Sequence, residues 1–266
     1  MKKKVFLLCS VLLLSFSAQA HRAWMLPSAT VFSGKEPWLT VDAVIGNELF
    51  YFDHVPMQLT GLTITAPDGT TIQPENSAKG RLRSVFDVPL KQSGTYRLTV
   101  LNQGLFASYE ENGETKRWRG TADSFAQAGI ADKKALKVLE MMSRIETFVT
   151  SGKPDTRTLS ATKQGLALQP ITHPNDLAVN EAAVFQFLLD GKPLSDLSVS
   201  IILGGTRYRD KTEEQILTTD KEGKINIRWT SAGMYFLETD YKDDQTSIKE
   251  AKERRLSYSA TFEVLP

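Results

Sequence analysis

Three histidines, His21, His54 and His173, are the residues most able to do chemistry once an N-terminal leader is set aside. Three imidazole nitrogens suit Cu(II), Ni(II), Co(II) or Zn(II). The position of His21 adds a fourth donor. Residues 2–4 are Lys-Lys-Lys, residues 5–16 are almost wholly apolar, and Ala18 and Ala20 supply the small side chains that a signal peptidase reads. Cleavage after Ala20 makes His21 the first residue of the exported chain. A terminal α-amine has a pKa of about 7.7–8, against about 10.4 for lysine, so it yields its proton to a metal readily. Amine and ring Nδ1 of one residue then close a chelate ring.

Asp53, beside His54, is a carboxylate able to accept the non-ligating ring N–H of a metal-bound histidine, and since neighbours in a strand point opposite ways, that histidine is one other than His54, or none. Met25 and Met57 are soft donors in apolar sequence and read as core. Each histidine taken alone also reads as a surface or hydrogen-bonded core residue.

Composition bounds the alternatives. The precursor carries +1, and loss of three leader lysines from 32 basic residues leaves 29 against 31 acidic, so no nucleic-acid partner is indicated. The single cysteine, Cys9, falls in the leader, which excludes a cysteine nucleophile and any disulfide in the exported chain. Leu8 before Cys9 argues against lipidation. No later stretch reaches the roughly 20 apolar residues of a membrane helix, so the chain does not read as membrane-spanning. A Sec-type leader on such a chain predicts the periplasm. No nucleophile elbow, zincin helix, phosphate loop or dinucleotide fingerprint occurs, so the chain does not read as an enzyme.

The elements that must position these residues read as short strands. Trp38–Val44, Leu59–Thr65, Ser84–Leu90 and Thr95–Val100 alternate in polarity, with turn signals at Pro67-Asp68-Gly69-Thr70 and Gln92-Ser93-Gly94. Asn112-Gly113 signals a hairpin. Thr121 or Asp123 caps a short helix, and the helix formers of 131–144 predict a surface helix. A second set of strands follows, from Leu166 to Ile171, Ala183 to Leu189, Leu197 onward, Lys224 to Trp229 and Met234 to Thr239. Asp190-Gly191 and Asp220-Lys221-Glu222-Gly223 turn the chain between them. The charged run 242–255 reads as a solvated loop before a last strand, Ser257–Val264. The expected fold is all-β: two β-sandwiches, immunoglobulin-like and transthyretin-like, joined by a short helical connector. The boundaries are 1–20 leader, 21–106 first sandwich, 107–160 hairpin and helical connector, and 161–266 second sandwich.

The stretches "HRAWMLPSATVFSG", "NELFYFDH", "NQGLFASY", "KRWRGT", "THPNDL" and "GGTRYRD", with the module "GKPL…TDKEG…AGMYFLE", carry a resemblance over residues 21–266. The chain resembles an uncharacterised family of periplasmic proteins described as the periplasmic component of cobalt or nickel uptake systems. Related members stand beside iron-uptake machinery. The resemblance implies a divalent transition metal, or its chelate, as ligand, and an inner- or outer-membrane transporter component as partner. Two other classes stand beside it. In one, Trp24, Trp118, Arg119, Arg207, Tyr208 and Arg209 form a surface for a partner without metal. In the other, an N-terminal histidine paired with a second one forms the copper brace of an oxidative enzyme.

Overall fold

The computed structural model describes residues 21–266. The leader expected over 1–20, with its cleavage signal and Cys9, lies outside the described residues. The regular structure is almost all strand, as the alternation predicts, in sheets of five, ten and four strands.

The five-stranded sheet holds β1 (Arg22–Pro27), β2 (Trp38–Gly46) and β3 (Val55–Pro56). Val44 and Ile45 of β2 pair with Trp24 and Ala23 of β1 and also with Pro56 and Val55 of β3. A strand has only two edges, so β1 and β3 flank the Gly46 end of β2 from opposite sides. Strands Glu75–Lys79 and Ser84–Pro89 complete the sheet.

Two 18-residue strands, β4 (Gly94–Glu111) and β6 (Lys134–Ser151), form the spine of the ten-stranded sheet. Between them lie β5 (Glu114–Gly120) and α1 (Ala122–Gln127). The β4–β5 hairpin turns on Asn112 and Gly113, both at positive φ as the dipeptide predicts. Thr121 caps α1 in a reciprocal capping box with Ser124. The helix expected over 131–144 is corrected to strand, because β6 pairs with β4 along one edge and in parallel with β8 (Ala251–Val264) along the other. Helix propensity spans under about 1 kcal/mol per residue, and two flanking strands override it. β8 also begins inside the run expected as a loop, and it pairs with β7 (Gly233–Asp243). The sheet thus joins strands from before residue 161 to strands from after it.

The spine is covered on both faces. Met25, Val41 and Phe86 of the five-stranded sheet pack against Leu98, Val100, Ile145 and Val149. On the opposite face, Phe185, Phe187 and Ile227 of the four-stranded sheet pack against Phe148, Tyr258 and Phe262. Each such side chain contributes about 1.5–3 kcal/mol of burial. Farther along that second face, Phe125 of α1 and Ile130 cover Leu105, Ala107 and Val138.

Candidate metal site

His21 immediately precedes β1 and His54 immediately precedes β3, so the two strands that flank β2 bring both histidines to its Gly46 end. Their imidazoles stack, with ring centroids 3.9 Å apart and planes 12° from parallel. Both side chains are exposed.

The loop 47–54 that delivers His54 is anchored from within. The Asp53 carboxylate accepts the backbone N–H groups of Asn47 at 2.9 Å and Glu48 at 3.1 Å. Asp53 therefore holds the loop, and it accepts from no imidazole among the described residues. A Cβ at Gly46 would lie 2.9 Å from Asp53 Oδ1 and 3.1 Å from the Tyr51 carbonyl oxygen, so a side chain there would have to displace the carboxylate that holds the loop. Phe50, at φ 63°, turns inward against Trp24, ring centroids 5.5 Å apart. The loop also rests on the second half of the chain. Thr206 donates to Glu48 at 3.0 Å, and the Arg207 guanidinium lies 5.1 Å from the Tyr51 ring centre.

His173 lies elsewhere. It sits by Thr95 and Thr150, at the end of the spine that binds Thr30, whereas His21 stands at the other end of β1. The six residues of β1 alone separate these ends by about 17 Å at about 3.3 Å per step. Both ring nitrogens of His173 are engaged. Nδ1 accepts the Asn175 backbone N–H at 3.1 Å, and Nε2 lies 3.1 Å from the Asp155 carbonyl oxygen and 2.9 Å from Thr95 Oγ1. A carbonyl only accepts, so this network assigns the ring proton to Nε2 and leaves no lone pair free for a metal. Burial holds the His173 pKa below the usual histidine range, which keeps the ring neutral. The three histidines expected as ligands therefore divide into an exposed pair and one structural residue.

Met25 and Met57 are fully buried, as their apolar context predicts. Trp24, expected on a partner surface, is wholly buried against Phe50 and Phe52, and Arg209 turns back onto the carbonyls of Leu203 and Gly204. Among the described residues no three His, Asp or Glu side chains converge to hold an ion. Two imidazoles are what the site offers from side chains. A metal lies in the plane of each imidazole it binds, about 2.0–2.1 Å from nitrogen. Nearly parallel rings cannot both meet that condition as they stand, so one must turn about its side-chain torsions. Exposed side chains do so within nanoseconds. The sequence offered no sign of Arg22, which anchors the start of β1 through a 2.7 Å ion pair with Glu238. The partner is supplied by β7, far along the chain.

An all-β sandwich protein with a pair of exposed imidazoles at one sheet end is the class that this fold and geometry define. The chain belongs to the family "Domain of unknown function (DUF4198)", whose model matches residues 18–243. No curated protein matches it. Solved structures similar to it include the D0-D1 domain of intimin, at 12% identity over 91% of this chain and 97% of that one, TM-score 0.24. A DUF4785 family protein from Legionella pneumophila matches at 10% identity over 81% of this chain and 50% of that one, TM-score 0.24. Alpha-2-macroglobulin of Escherichia coli matches at 12% identity over 93% of this chain and 31% of that one, TM-score 0.22.

Proposed function

We propose that the protein is a periplasmic carrier of a divalent transition metal (nickel, cobalt, copper or iron) or its chelate. His21 and His54 hold the ion, and the carrier passes it to a membrane uptake system. The observation that carries this reading is the stacking of two exposed imidazoles from distant parts of the chain at 3.9 Å. Removal of residues 1–20 places the α-amine of His21 beside the same rings. Amine and Nδ1 close a chelate, His54 adds a second imidazole, and the remaining positions stay open to water or to a chelator. An open coordination sphere favours transfer, since an incoming donor need not displace a full set of protein ligands. Protons compete for the same lone pairs, so affinity falls as pH drops through the imidazole and amine pKa values.

The test is a titration of Cu(II), Ni(II) and Co(II) into protein beginning at His21 and into the same protein with one glycine added in front. The extension converts the amine to an amide and should lower affinity tenfold or more with the fold intact. Indistinguishable isotherms for all three metals would overturn the site.

A further inference from the structure

The spine strands β4 and β6 are covered unevenly. On one face, Leu98 and Val100 of β4 and Ile145 and Val149 of β6 lie beneath the five-stranded sheet. Side chains on a strand alternate, so the same face continues as Phe106 and Ser108 on β4 and as Met141, Leu139 and Lys137 on β6. There the five-stranded sheet has ended. Among the described residues nothing covers this stretch, while α1 closes the opposite face.

The uncovered face is cationic. Cross-strand register places Arg119 opposite Phe106 and Arg117 opposite Ser108, and it places Lys242 opposite Arg255, which itself lies opposite Met141. Glu110 is neutralised by Lys134 at 3.1 Å, and Glu253 by Arg255 at 2.5 Å. Arg117, Arg119, Lys137 and Lys242 form no ion pair among the described residues, and the acids on the same side gather at its far edge, where Asp240 stands beside Glu238, which is paired with Arg22, and Glu214, which is bonded by Ser200. This concentration occurs in a chain whose charge beyond the leader is slightly negative. The surface is also concave. Two depressions of about 510 and 620 Å³ meet at Arg255, floored by Phe106, Leu139 and Met141. The exposed Arg119 guanidinium stands over the Phe106 ring, 4.8 Å from its centre, at the border of the groove.

We propose that this groove docks an extended, acidic segment of a partner protein, with carboxylates on the four free cations and apolar side chains at alternate positions on the floor. Charge complementarity and shape select this occupant. A second copy related by a two-fold axis would set the same four cations against each other. A planar bilayer would meet the rim and leave the floor unfilled. Five strands at about 4.8 Å spacing span about 19 Å, roughly six residues of extended chain at about 3.3 Å each. The groove borders the start of β1. Thr30 bonds Glu263 and the Ala23 carbonyl accepts from Ser259, so the direction of β1 carries His21 toward Ser257 and the edge of the cationic face. The proposal stands on topology and charge, independently of metal binding.

The test uses the full exported chain and an eight-residue peptide of alternating Glu and Leu, with a Lys-Leu peptide and phosphatidylglycerol vesicles as the other arms. The acidic peptide should bind in low salt, with backbone chemical-shift changes confined to Phe106, Leu139, Met141 and their neighbours. An Arg119→Glu/Lys137→Glu variant should lose at least tenfold in affinity with an unchanged melting temperature, and 0.5 M salt should do the same (screening length roughly 4 Å). Failure of the peptide to bind, equal binding to the variant, or equal binding of the Lys-Leu peptide would overturn the proposal. Preferential binding of the vesicles, or a dimer abolished by the variant, would assign the face to a membrane or to a second copy instead.

Discussion

The imidazoles of His21 and His54 lie face to face at 3.9 Å although neither belongs to a regular strand. Each is the residue just outside a strand, β1 or β3, and both strands are held by β2. Exposed rings so placed contribute little to packing, where surface substitutions typically stay within about 0.5 kcal/mol. His54→Ala should therefore lower metal affinity tenfold or more, by calorimetric titration, and leave the apo melting curve within about 2 °C. A large loss of apo stability would show that the stack is structural.

Gly46 and Asp53 set where His54 falls, so they should act on the metal without touching it. Gly46→Ala drives a methyl to 2.9 Å from Asp53 Oδ1 and 3.1 Å from the Tyr51 carbonyl oxygen. Overpacking of this kind costs about 1–3 kcal/mol. Asp53→Ala frees the Asn47 and Glu48 amides and should cost about 1 kcal/mol. Both variants should weaken metal binding alongside the loss of stability, measured by denaturant melts and titration. Unchanged affinity in Gly46→Ala would show that loop placement does not govern the site.

His173 should behave in the opposite way to His54. Its ring joins Thr95, Asp155 and the 173–175 turn, and His173→Ala should destabilise the apo protein by about 1–3 kcal/mol without changing metal affinity. The pH dependence has a definite sign. Burial lowers the folded pKa, so the unfolded chain binds the proton first. The stability that His173 contributes is present above about pH 6.5, the unfolded value, and is lost as pH falls through the folded pKa. A melt series from pH 7.5 to 5 should show a downward step in the native protein that His173→Ala lacks. Identical slopes would remove the neutral-imidazole account.

What could be read from the sequence was mostly local. Asn112-Gly113 and Asp190-Gly191 adopt the paired positive φ values that such dipeptides predict, and Thr121 caps its helix. Those signals depend on backbone chemistry within four residues. The strand β6 was not legible, because Ala135, Leu136 and Leu139 are good helix formers and the sheet edges that claim them come from β4 and β8. The charged start of β8 misled for a related reason. Arg254 turns inward to Asp243 and Asp190, a pairing between strands that looks like solvated charge in one dimension. At the site, the identity of the histidines was legible. Their division into an exposed pair and a structural singleton was not, since it depends on which end of β1 each one meets.

The buried cluster between the two halves gives the largest stability prediction. Glu146, with no exposed surface, takes a bidentate pair from Arg97 at 2.9 Å on each oxygen, a hydroxyl from Tyr258 at 2.8 Å and another from Thr99 at 2.9 Å. Arg97 reaches onward to the carbonyl of Ser160 at 2.8 Å, and Arg144 lies 3.8 Å from Glu146 while bonding the carbonyls of Gln164 and Leu166. One carboxylate thus compensates two buried guanidinium groups and ties β4, β6 and β8 to the segment that leads into the four-stranded sheet. Removing it leaves both cations without their counter-charge. Glu146→Ala should lose about 3–5 kcal/mol, whereas Tyr258→Phe, which removes a neutral donor, should lose about 1–2. At about 2–4 °C per kcal/mol for a chain of this size, the first lowers the melting temperature by about 6–20 °C. The cause is uncompensated charge, so an Arg97→Met/Glu146→Leu double variant should recover at least half of the loss. A double variant no more stable than Glu146→Ala would place the cost in packing and refute the electrostatic account.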